Sequence, residues 1–277
     1  MIVKRAAGIF LMNPYLFLEK SLDRLRNFIP LPKGPIKKSI NGVFFEFDFS
    51  LGPAIARMYR NDYEHQIVRL IKKYLKKGDT FIDVGANIGF ISAVAAGCVG
   101  QTGQIHSFEP VPSYFSRLKQ MADMNKGFNI IVNSYALGEH EGSSNIDVRG
   151  NANIGWNTMV QGFMSNKEYS LEVKVIRLDD YIINNKLSKI KMIKIDVEGY
   201  EFFVLKGLNK LFDSTSYRPL ILCEIAPKAY QILGLEIKDL FLYMEGYSYQ
   251  PFSVINTNRR ISYKELQETT DIIFKPV

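Results

Sequence analysis

Residues 80–90 read "TFIDVGANIGF": an apolar run carrying Asp83, then Gly85 and Gly89 around Ala-Asn-Ile. A short apolar run passing through a glycine turn into a helical stretch is the strand-turn-helix opening of a nucleotide-type α/β fold. A dinucleotide fingerprint needs a glycine at its second position so that the pyrophosphate can approach the backbone. Asn87 stands there. The turn therefore asks for a ligand that has no pyrophosphate.

The same alternation continues outward from this turn. Apolar runs predict strands at 80–84, 104–109, 129–134, 191–196 and 219–225, with helices at 89–97, 113–125, 199–211 and 236–245 between and after them. Short buried runs alternating with helices predict a doubly wound, mostly parallel Rossmann-like sheet covered on both faces. Upstream, "VFFEFDF" (43–49) alternates as a strand or hairpin, and "YEHQIVRLIKKYLKK" reads as a helix stopped by Gly78-Asp79. Residues 142–177 form a longer insertion holding "RGNANIGWNT" and the alternating "LEVKVIRL". "YSYQPF" and "DIIFK" predict an antiparallel C-terminal hairpin closing one edge of the sheet.

The chain has 277 residues, 47% hydrophobic and 23% charged, enough for one such domain with an appendage. Cys98 and Cys223 lie in apolar runs outside any C-x-x-C pattern, which argues against a disulfide framework or a zinc site and for a reducing, cytoplasmic setting. No apolar run reaches the ~20 residues that span a bilayer. Lys4-Arg5 followed by Ala6 to Met12 runs into Asn13-Pro14 without a cleavage pattern, so no secretion signal is expected. The net charge of +7 is concentrated in residues 1–42, with eight basic residues against Glu19 and Asp23, leaving the body near neutrality. That distribution disfavours a nucleic-acid enzyme, whose basic charge surrounds its cleft.

Residues 1–42 are expected to be a basic helical leader. Asn13-Pro14 fits a helix start, and Leu18, Leu22, Leu25 and Ile29 recur at helical spacing. Two roles suit it: docking against the body, or weak peripheral contact with an anionic membrane through Lys20, Arg24 and Arg26.

In an open α/β sheet the ligand sits beyond the carboxyl ends of the strands. The first strand brings Asp83 and the glycine turn there, and the second ends in Glu109, where a carboxylate accepts hydrogen bonds from a ribose diol. The fourth, "KIDVEGYE", brings Asp196 and Glu198, which would share a face if the chain stayed extended. The fifth, "LCEIAP", brings Glu224. Carboxylates at adjacent strand ends suit a cationic ligand, a metal ion, or removal of a hydroxyl proton.

"FIDVGANIG", "FEP", "ALGE", "KIDVEGYE" and "CEIAP", in this order and spacing, resemble the FkbM family of class I S-adenosylmethionine-dependent methyltransferases over roughly residues 40–275. The resemblance implies a methyltransferase domain over 43–277 and a seven-stranded sheet in the order 3-2-1-4-5-7-6. It also implies S-adenosylmethionine as cofactor, and O-methylation of a hydroxyl on a sugar, glycoconjugate or natural product. Carried over, Asp83, Gly85, Asn87 and Gly89, with Ala86 in the same turn, would hold the methionine portion. Glu109 would hold the ribose, and Ala136 and Leu137 would line the adenine side. The amino-methyltransferase signature would fall at Asp196, where this chain has Asp-Val-Glu-Gly, so a nucleobase nitrogen is not the expected acceptor.

Asp196 and Glu198 are the expected catalytic pair. Either takes the acceptor proton as a base, or both hold a divalent metal that acidifies the hydroxyl; the residues leave both mechanisms open. Trp156 fits a sugar-stacking platform and a packing anchor equally. His65, His106 and His140 carry no expected role. The rival readings are a nicotinamide dehydrogenase, against which Asn87 counts, and a membrane-surface or scaffold protein that keeps the fold without turnover.

Overall fold

The computed structural model describes residues 30–149, 156–213 and 218–277. The helix expected from Asn13-Pro14, the leader's membrane contact and most of the Gly/Asn-rich insertion loop (150–155) lie outside them. Among the described residues no helix is long and apolar enough to cross a membrane.

The central strands are β3 (Thr80–Val84), β4 (Gln104–Phe108), β5 (Asn129–Asn133), β9 (Ile190–Ile195), β10 (Leu220–Ile225), β11 (Tyr249–Ser253) and β12 (Thr270–Pro276). They form one seven-stranded sheet in the order β5-β4-β3-β9-β10-β12-β11, which is the expected 3-2-1-4-5-7-6. β3, β4, β5, β9 and β10 run parallel, and β12 is antiparallel to both β10 and β11. Every residue of β3 is buried because both faces are covered: Phe81 faces one apolar cluster while Ile82 and Val84 face the other.

One face carries α3 (Phe90–Val99) and α4 (Pro112–Met124), with a hairpin of β1 (Ile36–Ile40) and β2 (Val43–Phe47) outside them. Strand β1 lies inside the stretch 1–42 expected to be a helical leader, and all five of its residues pair with β2. The Asn41-Gly42 turn takes two left-handed residues, as a tight hairpin requires. Phe45 and Phe47 are buried edge-to-face at 5.0 Å, and Phe45 meets Phe90 at 5.6 Å. Asn125, itself buried, clamps the hairpin to the body: its Nδ2 donates to the Phe44 and Met121 carbonyls and its Oδ1 accepts from the Phe44 N–H, each at 2.7 Å. Two helices complete this wall, α1 (Pro53–Tyr59) and α2 (His65–Tyr74).

The other face is packed by α5 (Leu178–Asn184), α6 (Glu201–Lys206), α7 (Asn209–Asp213) and α9 (Ile237–Gly246), while α8 (Pro227–Ile232) follows β10. The single helix expected at 199–211 is two short ones that break around Gly207. A Cβ at Gly207 would sit 2.3 Å from the Gly138 carbonyl, and that close approach leaves no room for a side chain at the break. The insertion is part of a second sheet rather than a free excursion. β7 (Gly142–Val148) pairs antiparallel with β8 (Tyr169–Ile176), which pairs parallel with β6 (Ala136–Leu137).

Candidate active site

Four strand ends converge on one rim. At the end of β3 the chain turns so tightly that a Cβ on Gly85 (φ 77°) would lie 1.9 Å from the Asp196 carbonyl oxygen. The Gly85 and Ala86 N–H groups donate to the Phe108 carbonyl at 3.0 and 2.9 Å. Asn87 takes the left-handed conformation (φ 53°), which its short polar side chain tolerates, and its Oδ1 accepts from the Ile88 N–H at 2.7 Å. Glu109 accepts from the Asn87 N–H through Oε2 and from the Val111 N–H through Oε1, both at 2.9 Å. Burial, only partly offset by these two bonds, pushes its carboxyl up to about 7.

Asp83 is wholly buried behind the turn and does not line the cleft. Its Oδ2 accepts from the Ser92 hydroxyl at 2.6 Å, and Ser92 pairs with Ser107 at 2.8 Å. Lys194 is its register partner on β9. This lysine is only 4% exposed, and its Nζ reaches Asp196 at 2.8 Å. Burial opposes its charge, but Asp196, Glu64 and Asp83 outweigh that and hold its pKa well above the usual lysine value.

Beyond Asp196 the chain does not stay extended, as the sequence reading supposed. Glu198 is left-handed (φ 53°), and Gly199 (φ 101°) is so close to α8 that a Cβ would meet Ala229 Cβ at 2.2 Å. The buried Glu201 braces this turn through Oε1, which accepts from the N–H groups of Gly199 (2.8 Å) and Val197 (3.3 Å). The Thr158 hydroxyl ties it to the insertion by donating to the Glu198 carbonyl at 2.6 Å. The result still brings Asp196 and Glu198 together: with Glu224 they offer carboxylate oxygens within 4.8 Å of one another. Asp271, the register partner of Glu224 on β12, joins them.

The electrostatics follow from crowding acids in a poorly hydrated place. Burial, then repulsion from Asp196, raises Glu198 to about 9 and Glu224 to about 11; the same two causes raise Asp271 to about 6. Burial raises Glu64 to about 7 despite the attraction of Lys194. One lysine thus faces a surplus of carboxylates, and a cation entering the cleft would lower the cost of ionising them. That cation can be a sulfonium, or a divalent ion on the three clustered carboxylates.

The cleft above this rim is about 540 Å³ and is lined by Tyr63, Glu64, Gly85, Ala86, Asn87, Trp156, Lys194, Asp196, Glu198, Glu224 and Asp271, among others. A smaller, mostly apolar cavity adjoins it, sharing Gly85, Asn87 and Asp196 and walled by Phe108, Glu109, Tyr135, Ala136, Leu137 and Met159. An acid-lined cleft, a carboxylate and an apolar slot in sequence match the sulfonium, diol and aromatic base of S-adenosylmethionine, so the residues fit that cofactor. Gly89 caps the start of α3 and lines neither cavity.

Sequence reasoning passed over Lys194, Glu64, Asp271 and Glu201. A lysine inside the apolar run of β9 was a visible signal, because an unpaired charge there is costly. Glu64 and Asp271 reach the rim from elements remote in sequence and carried no local signal.

Sheet order and rim together are those of a methyltransferase that uses S-adenosylmethionine. A family model described as the methyltransferase FkbM domain matches residues 83–251, and the chain belongs to the FkbM methyltransferase family. It is 28% identical over 203 residues to a hexuronic acid methyltransferase, AglP, of Haloferax volcanii, covering 72% of this chain and 80% of that protein. It is 27% identical over 150 residues to "Methyltransferase 1" of Beauveria bassiana, covering 47% of this chain and 59% of that one. Among solved structures, the FkbM methyltransferase of Methylobacillus flagellatus KT aligns with a TM-score of 0.45 and 16% identity, over 80% of this chain and 54% of that one. This chain therefore spans about half the length of that structure.

If Glu109 receives the ribose, Glu109→Gln should weaken S-adenosylhomocysteine binding by roughly tenfold or more, the loss of a hydrogen bond to a charged group. Calorimetry reads it directly. Unchanged affinity would leave Glu109 as a clamp on the Asn87 and Val111 amides only.

Proposed function

We propose that the enzyme methylates a hydroxyl group of a sugar, in a glycan or glycoconjugate. The observation that carries this reading is the carboxylate cluster of Asp196, Glu198 and Glu224 on the wall of the cleft. A sugar hydroxyl is a weak nucleophile whose proton must leave as the new bond forms, and a carboxylate beside it can take that proton. A carboxylate acceptor would need no base. The similarity to a protein named as a hexuronic acid methyltransferase also favours a sugar acceptor.

S-adenosylmethionine, when bound, supplies a methyl group already activated on sulfur. The chain's own work is then to bind, align and deprotonate. Gly85, Ala86 and Asn87 would receive the methionine portion, Glu109 the ribose, and Ala136 and Leu137 the base. Lys194 keeps Asp196 paired and fixed. Glu198 accepts the hydroxyl proton: it faces the cleft, and beside a bound cation its carboxyl ionises more readily than at about 9.

A panel of free sugars and oligosaccharides, neutral and uronate, incubated with methyl-labelled cofactor tests the reading. The expected product carries an alkali-stable methyl ether. An alkali-labile ester, or label on a nucleobase, would replace a hydroxyl acceptor with a carboxyl or a nitrogen.

A further inference from the structure

Beside the reaction cleft, and apart from the apolar slot, lies a further cavity of about 490 Å³, to which the chemistry above assigns nothing. Trp156 and Glu198 line both, so the two spaces adjoin at the indole. Trp156 is 56% exposed, an unusual position for a ring whose burial is ordinarily worth so much. The Arg149 guanidinium lies 5.1 Å from its ring, and the wall continues through Phe163 and the exposed Lys228. Among the described residues neither Arg149 nor Lys228 has an ion-pair partner.

We propose that this cavity is a subsite for a uronate residue adjoining the sugar that is methylated, with Trp156 stacking on the ring and Arg149 and Lys228 receiving the carboxylate. The inference rests on the sugar-acceptor reading and deepens it: the acceptor is an acidic oligosaccharide rather than a single sugar. Charge decides which space takes which residue. The reaction cleft sets five acids, Glu64, Asp196, Glu198, Glu224 and Asp271, against Arg57 and Lys194, so it suits a cation better than a sugar carboxylate. In the outer cavity Glu198 and Glu268 are balanced by these two cations, one of them a guanidinium able to bind a carboxylate through two N–H groups. An exposed aromatic face flanked by cations is the chemistry that recognises an anionic ring.

The chain has a single tryptophan, so its emission reports on the place where the two cavities meet, and the reaction cleft is kept filled by cofactor product during the titration. Protein saturated with S-adenosylhomocysteine is titrated with galacturonic acid, its α-1,4-linked dimer and tetramer, and maltotetraose as the uncharged control. Saturable change in tryptophan emission is expected with the dimer and tetramer, at about tenfold lower concentration than with the monomer, as expected when a second ring is engaged. In calorimetry Trp156→Ala, Arg149→Gln and Lys228→Gln should each weaken tetramer binding by roughly fivefold or more, since a charged hydrogen bond or a stacked ring supplies at least that. S-adenosylhomocysteine affinity should stay unchanged in the Arg149 and Lys228 variants, neither of which lines the reaction cleft. No emission change with any uronate, or an equal change with maltotetraose, overturns the subsite. Methylation of a neutral sugar alongside silent emission would do so while leaving the sugar-methyltransferase reading intact, and absence of any methylated sugar would remove that reading instead.

Discussion

Glu198→Gln is expected to lower turnover by about 10²–10⁴-fold, the usual contribution of a positioned proton acceptor, with S-adenosylhomocysteine affinity nearly unchanged. The amide keeps the side chain's shape and suits the left-handed backbone at residue 198 no worse than the acid does. It also avoids the weakness of the parallel change, Asp196→Asn, which would strip Lys194 of its nearest counter-charge and disturb the fold as well as the chemistry. The pH profile adds a second reading. Burial and Asp196 hold Glu198 at about 9 without ligand, so its basic form grows as pH rises, and the rate should climb with pH in the native enzyme. That rising limb should vanish in the Gln variant. Chelation separates the two open mechanisms: loss of activity with EDTA, restored by Mg²⁺, would make Asp196, Glu198 and Glu224 metal ligands instead of proton acceptors. A Gln variant with near-native turnover would move the chemistry elsewhere.

Gly85→Ala should be severely destabilising. The new Cβ would lie 1.9 Å from the Asp196 carbonyl, so the end of β3 and the turn after β9 would have to part, at a cost of several kcal/mol. Gly234→Ala is the matched control. Its φ of 67° is similar, yet nothing lies within 4 Å of the added carbon, so only the backbone penalty of about 1–2 kcal/mol remains. Denaturant unfolding of both variants isolates the steric part. The Gly85→Ala variant should also lose S-adenosylhomocysteine binding. Equal destabilisation of the two would mean that the crossing at Asp196 yields easily.

Most of the sheet was legible because its signal is local. TFIDV and KMIKID are apolar runs bounded by turns, and alternation of such runs with helices leaves few topologies. The strand order 3-2-1-4-5-7-6 came from the family resemblance, which periodicity alone would not have supplied. Strand β1 was not expected inside the leader because Ile36–Ile40 is mostly exposed and carries two lysines, and is a strand through pairing with Val43–Phe47. Asp196 and Glu224 were found because each ends an apolar run, and Glu198 because it lies two residues beyond Asp196. The geometry joining the first two was not legible: Gly199 turns where it does because Glu201 holds the Gly199 and Val197 amides and α8 packs close, both tertiary facts. Asp271 is paired across strands to Glu224 from 47 positions along the chain, a distance at which single-sequence patterns are silent.

The surplus of carboxylates around Lys194 also sets a proton inventory for the enzyme. Under the proposed mechanism one positive charge enters the cleft on sulfur, and when the methyl group has moved that charge remains as a proton on Glu198. The site is thus electroneutral across the chemical step, and no charge has to be created in a poorly hydrated space at the moment of reaction. The consequence falls afterwards. A carboxyl that burial holds at about 9 gives its proton up reluctantly at neutral pH, so each cycle must end by discharging an acid to solvent before the next hydroxyl can be deprotonated. The mouth of the cleft at the exposed Trp156 would then serve as an exit for that proton as well as an entrance for sugar.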